Sequence, residues 1–347
     1  MDKVHTNKKN SIKAEIDKDE FSKSDYSNIF KSKSNYLKIF KETNIKDVVK
    51  RITDEIKDPK ETELGNLIIE FLKDEGFKDK DLVEILAFLN NNKFNLKKYN
   101  TLALKTSKKR EKSVYAEKAF TAGLATWLVQ NESKYNSPFY QNLKKLLFDF
   151  YPTDTTEEYI SVTMHEMDLA NHSKVRELAV KKHNIPMKAF LTYLVSNYTS
   201  SYEAMLKGYC VTSYDEFLVI LKKEISKNFE ILTEIMDVIT PKAQLKLLDL
   251  LIKKEEEKTI RYILTELVEK ATAKQVAQKI IYILKDKTEL KDDIIKLLSS
   301  KKKPAREIAV ELLISWNLPE NKKLLKPLLK DKSQKIVSMI ADFLATV

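Results

Sequence analysis

Three residues near position 170 have the side-chain types and the spacing of metal ligands. His165, Asp168 and His172 are three and four positions apart, which would place them on one face of a continuous helix. Structural zinc sites usually need four protein ligands, and catalytic sites need three plus water. The letters ANHS, which include His172, also resemble the start of a new helix, because Asn and Ser are preferred N-cap residues. The sequence therefore favours an ordinary turn over a metal site, and it predicts no cofactor.

A second candidate for function is the basic segment 93–112. It contains eight basic residues and one acid, so it carries +7 of the formal net charge of +11. Lysines placed in this way could neutralise several phosphates, and Phe94 and Tyr99 could stack on bases as in single-strand binders. The alternative interpretation, which we favour, is a flexible and soluble loop between helices. The candidate nucleic-acid-binding residues are Lys97, Lys98, Lys105, Lys108, Lys109, Arg110 and Lys112.

The overall composition argues against most enzyme classes. The 347 residues include only four glycines, and none lies in a G-x-G-x-x-G or G-x-x-x-x-G-K nucleotide-binding motif. Cys210 is the only cysteine, which excludes an internal disulfide and a Cys-rich zinc site. No arrangement of catalytic Ser, His, Asp or Cys residues stands out. We therefore predict a protein that is not an enzyme.

The partner and the compartment are predicted from the charged and apolar residues. Of the 62 basic residues only five are arginine, whereas proteins that read nucleic acid usually rely on arginine. A protein partner is therefore favoured, and nucleic acid is the alternative. No apolar stretch is long enough to cross a membrane, and the N-terminus lacks the apolar core of a signal peptide. The expectation is a soluble, cytoplasmic protein with no membrane partner.

Helical periodicity dominates the chain after residue 44. In ETELGNLIIEFLKDEG the apolar residues recur at the spacing of a single helical stripe, and Gly76 follows at its C-terminal end. From Pro241 onward, helices of roughly 11 to 15 residues alternate with connections of two to six polar residues. Helices this short are unstable alone and must pack on their neighbours in the sequence. This arrangement predicts an α-solenoid.

An internal repeat supports that prediction. Residues 297–316 align with residues 328–347 at an offset of 31, with their apolar positions superposed. The letters VRELAV at 175–180 match AREIAV at 305–310, and Ile260 precedes a further arginine. Three of the five arginines thus lie near the start of a short amphipathic helix: Arg176, Arg261 and Arg306. This pattern resembles the HEAT-repeat (armadillo-like) family.

The resemblance implies stacked antiparallel helix pairs. In HEAT repeats an Asp in the turn and an Arg about six residues later commonly form a polar ladder along the stack. Asp331 occupies the Asp position of its repeat, although Val337 replaces the Arg, and Ser300 stands where an Asp would precede Arg306. The repeats are therefore degenerate. The resemblance assigns a structural ladder role to Arg176, Arg261, Arg306 and Asp331.

The resemblance also implies a function, with two alternatives. The first is a scaffold that binds a protein partner along its concave surface. The second is a nucleic-acid-binding HEAT-like protein, such as the DNA glycosylases for alkylated bases, which present aromatic residues with Asp and Arg on that surface. Trp127 and Trp316 both lie on apolar stripes, which favours a place in the core for each.

The predicted organisation has three parts. Residues 1–44 form a flexible polar tail, residues 45–152 a helical region containing the basic loop, and residues 153–347 the HEAT-like repeats. The final helix, MIADFLATV, has no polar cap. It either docks on a partner or a second copy, turns its apolar face inward, or continues into further repeats.

Overall fold

The computed structural model of the chain confirms the all-α class. Every regular element among the residues it describes is helical. No helix in that part of the chain is both long and apolar enough to cross a membrane. The predicted tail, residues 1–44, lies outside the described residues, which are 45–54, 60–110, 118–167, 172–199, 219, 222–225, 227, 231–252, 257–271 and 273–345.

The chain divides into two compact units, Met1–Tyr193 and Leu194–Val347. The helix starting at Pro152 packs on helices that precede it in the chain. The predicted boundary at residue 152 stays a prediction. The helices described in unit 1 are α1 (Ile45–Asp54), α2 (Glu61–Asp74), α3 (Asp79–Leu89), α4 (Leu96–Arg110), α5 (Lys118–Gln130), α6 (Pro138–Phe150), α7 (Pro152–Met167) and α8 (His172–His183). The next helix, α9 (Met187–Thr199), contains the division between the two units.

Unit 1 is organised around α5, α6 and α7. Helix α5 contacts α1 and α7, while α6 contacts α3, α4 and α7. Aromatic side chains fill much of this core: the ring centroids of Phe71 and Phe120 lie 4.3 Å apart in a stacked arrangement. Trp127 is almost fully buried, as its place on an apolar stripe predicts.

The segment predicted as a basic loop is largely helical, because residues 96–110 form α4. The buried side of α4 is built from Tyr99, Leu102 and three small side chains, so the lysines conceal its periodicity in the sequence. The buried hydroxyls of Thr106 and Ser107 donate to the carbonyls of Leu102 and Ala103, both at 2.8 Å. These bonds satisfy two polar groups that would otherwise oppose burial of the helix.

Unit 2 contains longer helices alternating with shorter ones. The intervening elements are shorter than the predicted 11 to 15 residues, because several continue as a 3₁₀ or π turn, as at Ile263–Leu267. The helices described from residue 231 onward are α10 (Leu232–Met236), α11 (Pro241–Ile252), α12 (Glu257–Tyr262), α13 (Lys274–Leu284), α14 (Lys291–Leu297), α15 (Lys303–Trp316), α16 (Pro319–Leu325) and α17 (Gln334–Ala345).

The four longer helices of unit 2 pack in chain order. Helix α11 contacts α13, α13 contacts α15, and α15 contacts α17. In α17 the apolar residues Ile336, Ile340 and Phe343 are buried. Its exposed side carries small or polar residues, including Ser338 and Asp342. The apolar stripe of α17 therefore packs against α15 and α16.

Candidate functional site

The structure does not bring the three candidate metal ligands near residue 170 together within its described residues. His165 is exposed on α7, and His172 begins α8. Asp168 lies outside the described residues. Within the described part of the chain, no group of three potential ligands is close enough to hold a metal ion.

A different histidine, His183 at the end of α8, lies at the centre of a buried polar cluster. Its side chain is only 2% exposed. Its Nδ1 atom lies 2.6 Å from Glu132 Oε2, and its Nε2 atom lies 3.0 Å from the hydroxyl of Thr163. Lys144 completes the cluster by donating 2.5 Å hydrogen bonds to Glu132 Oε1 and to the His183 carbonyl. We call these residues, with the adjacent Tyr159, the His183 cluster.

Electrostatics set the charge of two members of the cluster, Glu132 and Tyr159. Partial burial would raise the pKa of Glu132, but hydrogen bonds from His183 and Lys144 outweigh it and hold that pKa below its usual 4.5. Burial, and then the negative charge of Glu132, raise the pKa of Tyr159 well above 10. Glu132 is therefore a carboxylate and Tyr159 a neutral phenol.

The geometry of Glu132, His183 and Thr163 matches a carboxylate–imidazole–hydroxyl triad, but the hydroxyl cannot act as a nucleophile. Thr163 is completely buried inside α7. It donates its hydroxyl hydrogen to the Tyr159 carbonyl at 2.7 Å. Catalysis needs a nucleophile that a substrate can reach. The cluster instead joins the turn after α5 to α6, α7 and α8.

Sequence reasoning missed His183 because its partners are distant in the chain. Glu132 is 51 residues away and Thr163 is 20. The local signal was only a helix end: Asn184 has a left-handed backbone, with φ of 49°, and Pro186 follows. That signal marks where α8 stops, and it says nothing about what the last side chain contacts.

The candidate nucleic-acid residues are mostly on α4, which carries six basic residues and no acid. Lys97, Lys105 and Lys108 are exposed on one side of this helix, at 100° per residue. We call them the outer lysine face. Within the described residues, their ammonium groups form no hydrogen bond or ion pair.

The other lysines of α4 are engaged at its flank. Lys98 donates to the Lys80 carbonyl at 2.5 Å and lies 3.5 Å from an oxygen of Asp81. Lys109 donates to the Glu75 carbonyl at 3.2 Å and lies 3.8 Å from the carboxylate of the same residue. Arg110 ends the helix, and Lys112 lies outside the described residues.

The aromatic residues of the basic segment are part of the core. Tyr99 is buried, its ring lies 4.2 Å from that of Phe88, and its hydroxyl donates to Asp149 at 2.9 Å. Burial, together with the Asp149 charge, raises the pKa of Tyr99 well above 10. Phe94 packs edge-on against Phe88 at 5.1 Å. Tyr99, buried in this way, has no ring face free to stack on a base.

The three ladder arginines occupy different environments. Arg176 is buried in α8 of unit 1, whereas Arg261 is exposed, with one nitrogen 3.5 Å from Asp293. Arg306 forms two hydrogen bonds to the Asp331 carboxylate, at 2.8 and 3.1 Å. A third bond, of 2.9 Å, runs from Arg306 to the Ser300 carbonyl. Arg306 thus joins the turn before α15 to the turn before α17.

Replacing Arg306 with Met should lower the free energy of unfolding of unit 2 by about 1–2 kcal/mol, because Asp331 loses both charge-assisted hydrogen bonds near the surface. The guanidinium holds the pKa of Asp331 below its usual 3.8. The pKa of Asp331 is lower in the folded than in the unfolded state. The stabilisation is therefore fully present above pH about 4, and it is lost as the pH falls from there through the folded-state pKa. Hydrogen exchange of residues 303–345 at neutral and acid pH measures both effects.

The matched control is Arg261→Met, which removes the same side chain from an exposed site. We expect it to change the free energy of unfolding by less than about 0.5 kcal/mol. Equal effects of the two substitutions would contradict the special place of the Arg306–Asp331 pair.

Trp316 differs from Trp127 because it is only half-buried. Its indole Nε1 donates to the Lys285 carbonyl at 2.6 Å, which links α15 to the end of α13.

Comparison with known proteins adds no family to this description: no family model, no curated protein and no solved structure matches the chain.

Proposed function

We propose that unit 2 is a HEAT-like stack of degenerate helical repeats, and that it acts as a non-enzymatic scaffold for a protein partner. The observation that carries this proposal is the packing of α11, α13, α15 and α17 in chain order. Alternate helices that pack successively form a continuous surface. Such surfaces bind extended partners through side chains at repeated positions.

Polar contacts between successive segments of unit 2 support a repeat of about 30 residues. Trp316 and Lys285 are 31 residues apart, and so are Ser300 and Glu269, whose side chains share a 2.5 Å hydrogen bond. The Arg306–Asp331 pair spans 25 residues. In this proposal these contacts hold neighbouring repeats in register, which is the ladder role predicted for Arg306 and Asp331.

The longer helices also expose a side chain suited to a protein interface. Tyr282 on α13 is 63% exposed, and the ammonium groups of Lys279 and Lys285 lie 5.7 and 4.7 Å from its ring centroid. Tyrosine is enriched in interface hot spots because it offers a large apolar ring together with a polar hydroxyl. Ser338 is exposed on α17, the last helix of this row.

Site-specific photo-crosslinking in the native host tests this proposal. A photoreactive amino acid at position 282 or 338 should give a discrete adduct with another protein, and both positions should give the same one. Asp292 on α14 and Lys323 on α16 are exposed control positions on the shorter helices. We expect weaker adducts or none there. Equal labelling from all four positions, or no protein adduct from 282 and 338, would reject the scaffold.

A further inference from the structure

The outer lysine face of α4 presents positive charge on a helix that is fixed to its neighbours by hydrogen bonds. Lys97, Lys105 and Lys108 project from its exposed side, and no acidic residue occurs in the helix to offset them. The flanking lysines Lys98 and Lys109 fasten α4 to the α3 helix and to the end of α2. Because the backbone of this helix is already ordered, binding a regular array of phosphates costs only the side-chain freedom of the lysines and no ordering of the chain.

Exposed aromatic side chains, which single-strand binders use to stack bases, are missing from the described part of α4. Tyr99 is buried against Phe88, and Phe94 packs on the same ring. The large apolar side chains that α4 does expose are Leu96 and Leu104, at 59% and 36%. Leucine has no flat π-face to stack on a base. Charge without a stacking surface suits a paired duplex better than a single strand.

The spacing of the lysines also fits a duplex. Lys97 and Lys105 are eight residues apart, which corresponds to about 12 Å along a helix that rises about 1.5 Å per residue. The major groove of B-form DNA is about 12 Å wide. Lysines at these two positions can therefore reach the phosphates that border the groove on opposite sides. Lys108 lies one turn further, near Lys105.

We propose that the outer lysine face binds the phosphate backbone of double-stranded DNA without reading its sequence. The three ammonium groups replace cations condensed on three phosphates, so affinity depends strongly on salt. Lysine binds phosphate as a point charge and lacks the bidentate fork with which arginine recognises guanine, which is why no sequence preference is expected. This inference concerns unit 1 and does not rest on the scaffold role of unit 2.

Fluorescence anisotropy with a labelled 20-base-pair duplex of mixed sequence tests the proposal, using the full chain at up to about 100 µM. We plot the logarithm of the binding constant against the logarithm of the salt concentration. With three phosphate contacts, this face should contribute about −2.7 to the slope of that line. That is about a 40-fold loss of affinity between 50 and 200 mM salt. The triple variant Lys97→Gln, Lys105→Gln and Lys108→Gln should bind at least about tenfold more weakly at 50 mM salt and should lose most of that slope.

A charge-matched control separates a specific face from net charge. Lys301, Lys330 and Lys332 are exposed in unit 2, and replacing all three with Gln removes the same three charges. This control should bind within about threefold of the wild type. Circular dichroism of both triple variants verifies that they fold, as exposed substitutions should.

Four results would overturn the proposal. The first is a failure of the duplex to bind at 50 mM salt, and the second is an equal loss of binding in the two triple variants. The third is tighter binding of a single-stranded 20-mer of thymidine than of the duplex. The fourth is binding to vesicles that contain phosphatidylserine without binding to the duplex, which would assign Leu96, Leu104 and the lysines to an anionic membrane surface instead.

Discussion

Replacing His183 with Ala should lower the free energy of unfolding of unit 1 by about 3 kcal/mol. The substitution opens a cavity at a position that is 2% exposed. It also removes the 2.6 Å hydrogen bond to Glu132 and the 3.0 Å bond to Thr163, so a buried hydroxyl and a partly buried carboxylate each lose a partner. Losing one member of a buried, hydrogen-bonded charged group is costly because the others are not rehydrated.

Urea unfolding measures this effect if the signal comes from unit 1 alone. Trp127 lies in α5, which ends two residues before Glu132, and the only other tryptophan is Trp316 in unit 2. In a Trp316→Phe background, tryptophan fluorescence therefore reports on unit 1. Each variant is compared with this background.

His165 provides the matched control, since it is the same residue type exposed on α7. His165→Ala should change the free energy of unfolding by less than about 0.5 kcal/mol. If His165→Ala and His183→Ala were equally tolerated, the His183 cluster would not be the tie between helices that the structure describes.

Replacing Gly123 with Ala should destabilise unit 1 by about 2 kcal/mol, although alanine is the better helix former by about 1 kcal/mol. A Cβ atom at this position would lie 2.6 Å from both Cβ and Cγ1 of Val48. Because Val48 Cβ is fixed to the backbone, a side-chain rotation cannot relieve the overlap. Helix α1 would have to move away from α5, which exposes buried residues such as Ile52.

Two variants make this prediction specific. Gly65 is also buried in a helix, but a Cβ there would meet the Phe139 ring at an ordinary 3.6 Å. Gly65→Ala should therefore be neutral or stabilising by up to about 1 kcal/mol. In a Val48→Gly background, Gly123→Ala should no longer destabilise. If Gly123→Ala costs the same in both backgrounds, the close approach of α1 and α5 is not its cause. The reporter is again Trp127 fluorescence.

The helical class and many of the element positions could be predicted from local periodicity. Helix α2 has its apolar stripe and its closing Gly76 where the pattern places them. Helix α4 was missed because its buried side has only two large apolar residues, Tyr99 and Leu102, and the lysines of its exposed side dominate its composition. A stripe of Ala, Thr and Ser carries little hydropathy, yet it can pack closely when hydroxyls bond to the preceding turn.

The candidate site could be predicted only in part. The sequence identified the basic segment, but the structure separates its residues: Lys97, Lys105 and Lys108 are exposed, whereas Lys98 and Lys109 are engaged by carbonyls and carboxylates at the flank. Those neighbours come from α3 and the end of α2. No pattern within the segment encodes them.

By itself, the sequence determined an all-helical chain with many short amphipathic helices, because helix formation depends on residues three or four positions apart. The tertiary structure decided which polar groups meet. It brought Glu132 to His183 across 51 residues, joined Arg306 to Asp331 across 25, and buried Tyr99 against Phe88. It also set the division between the two units at Tyr193. Such choices depend on burial and on contacts between distant segments, which local spacing does not contain.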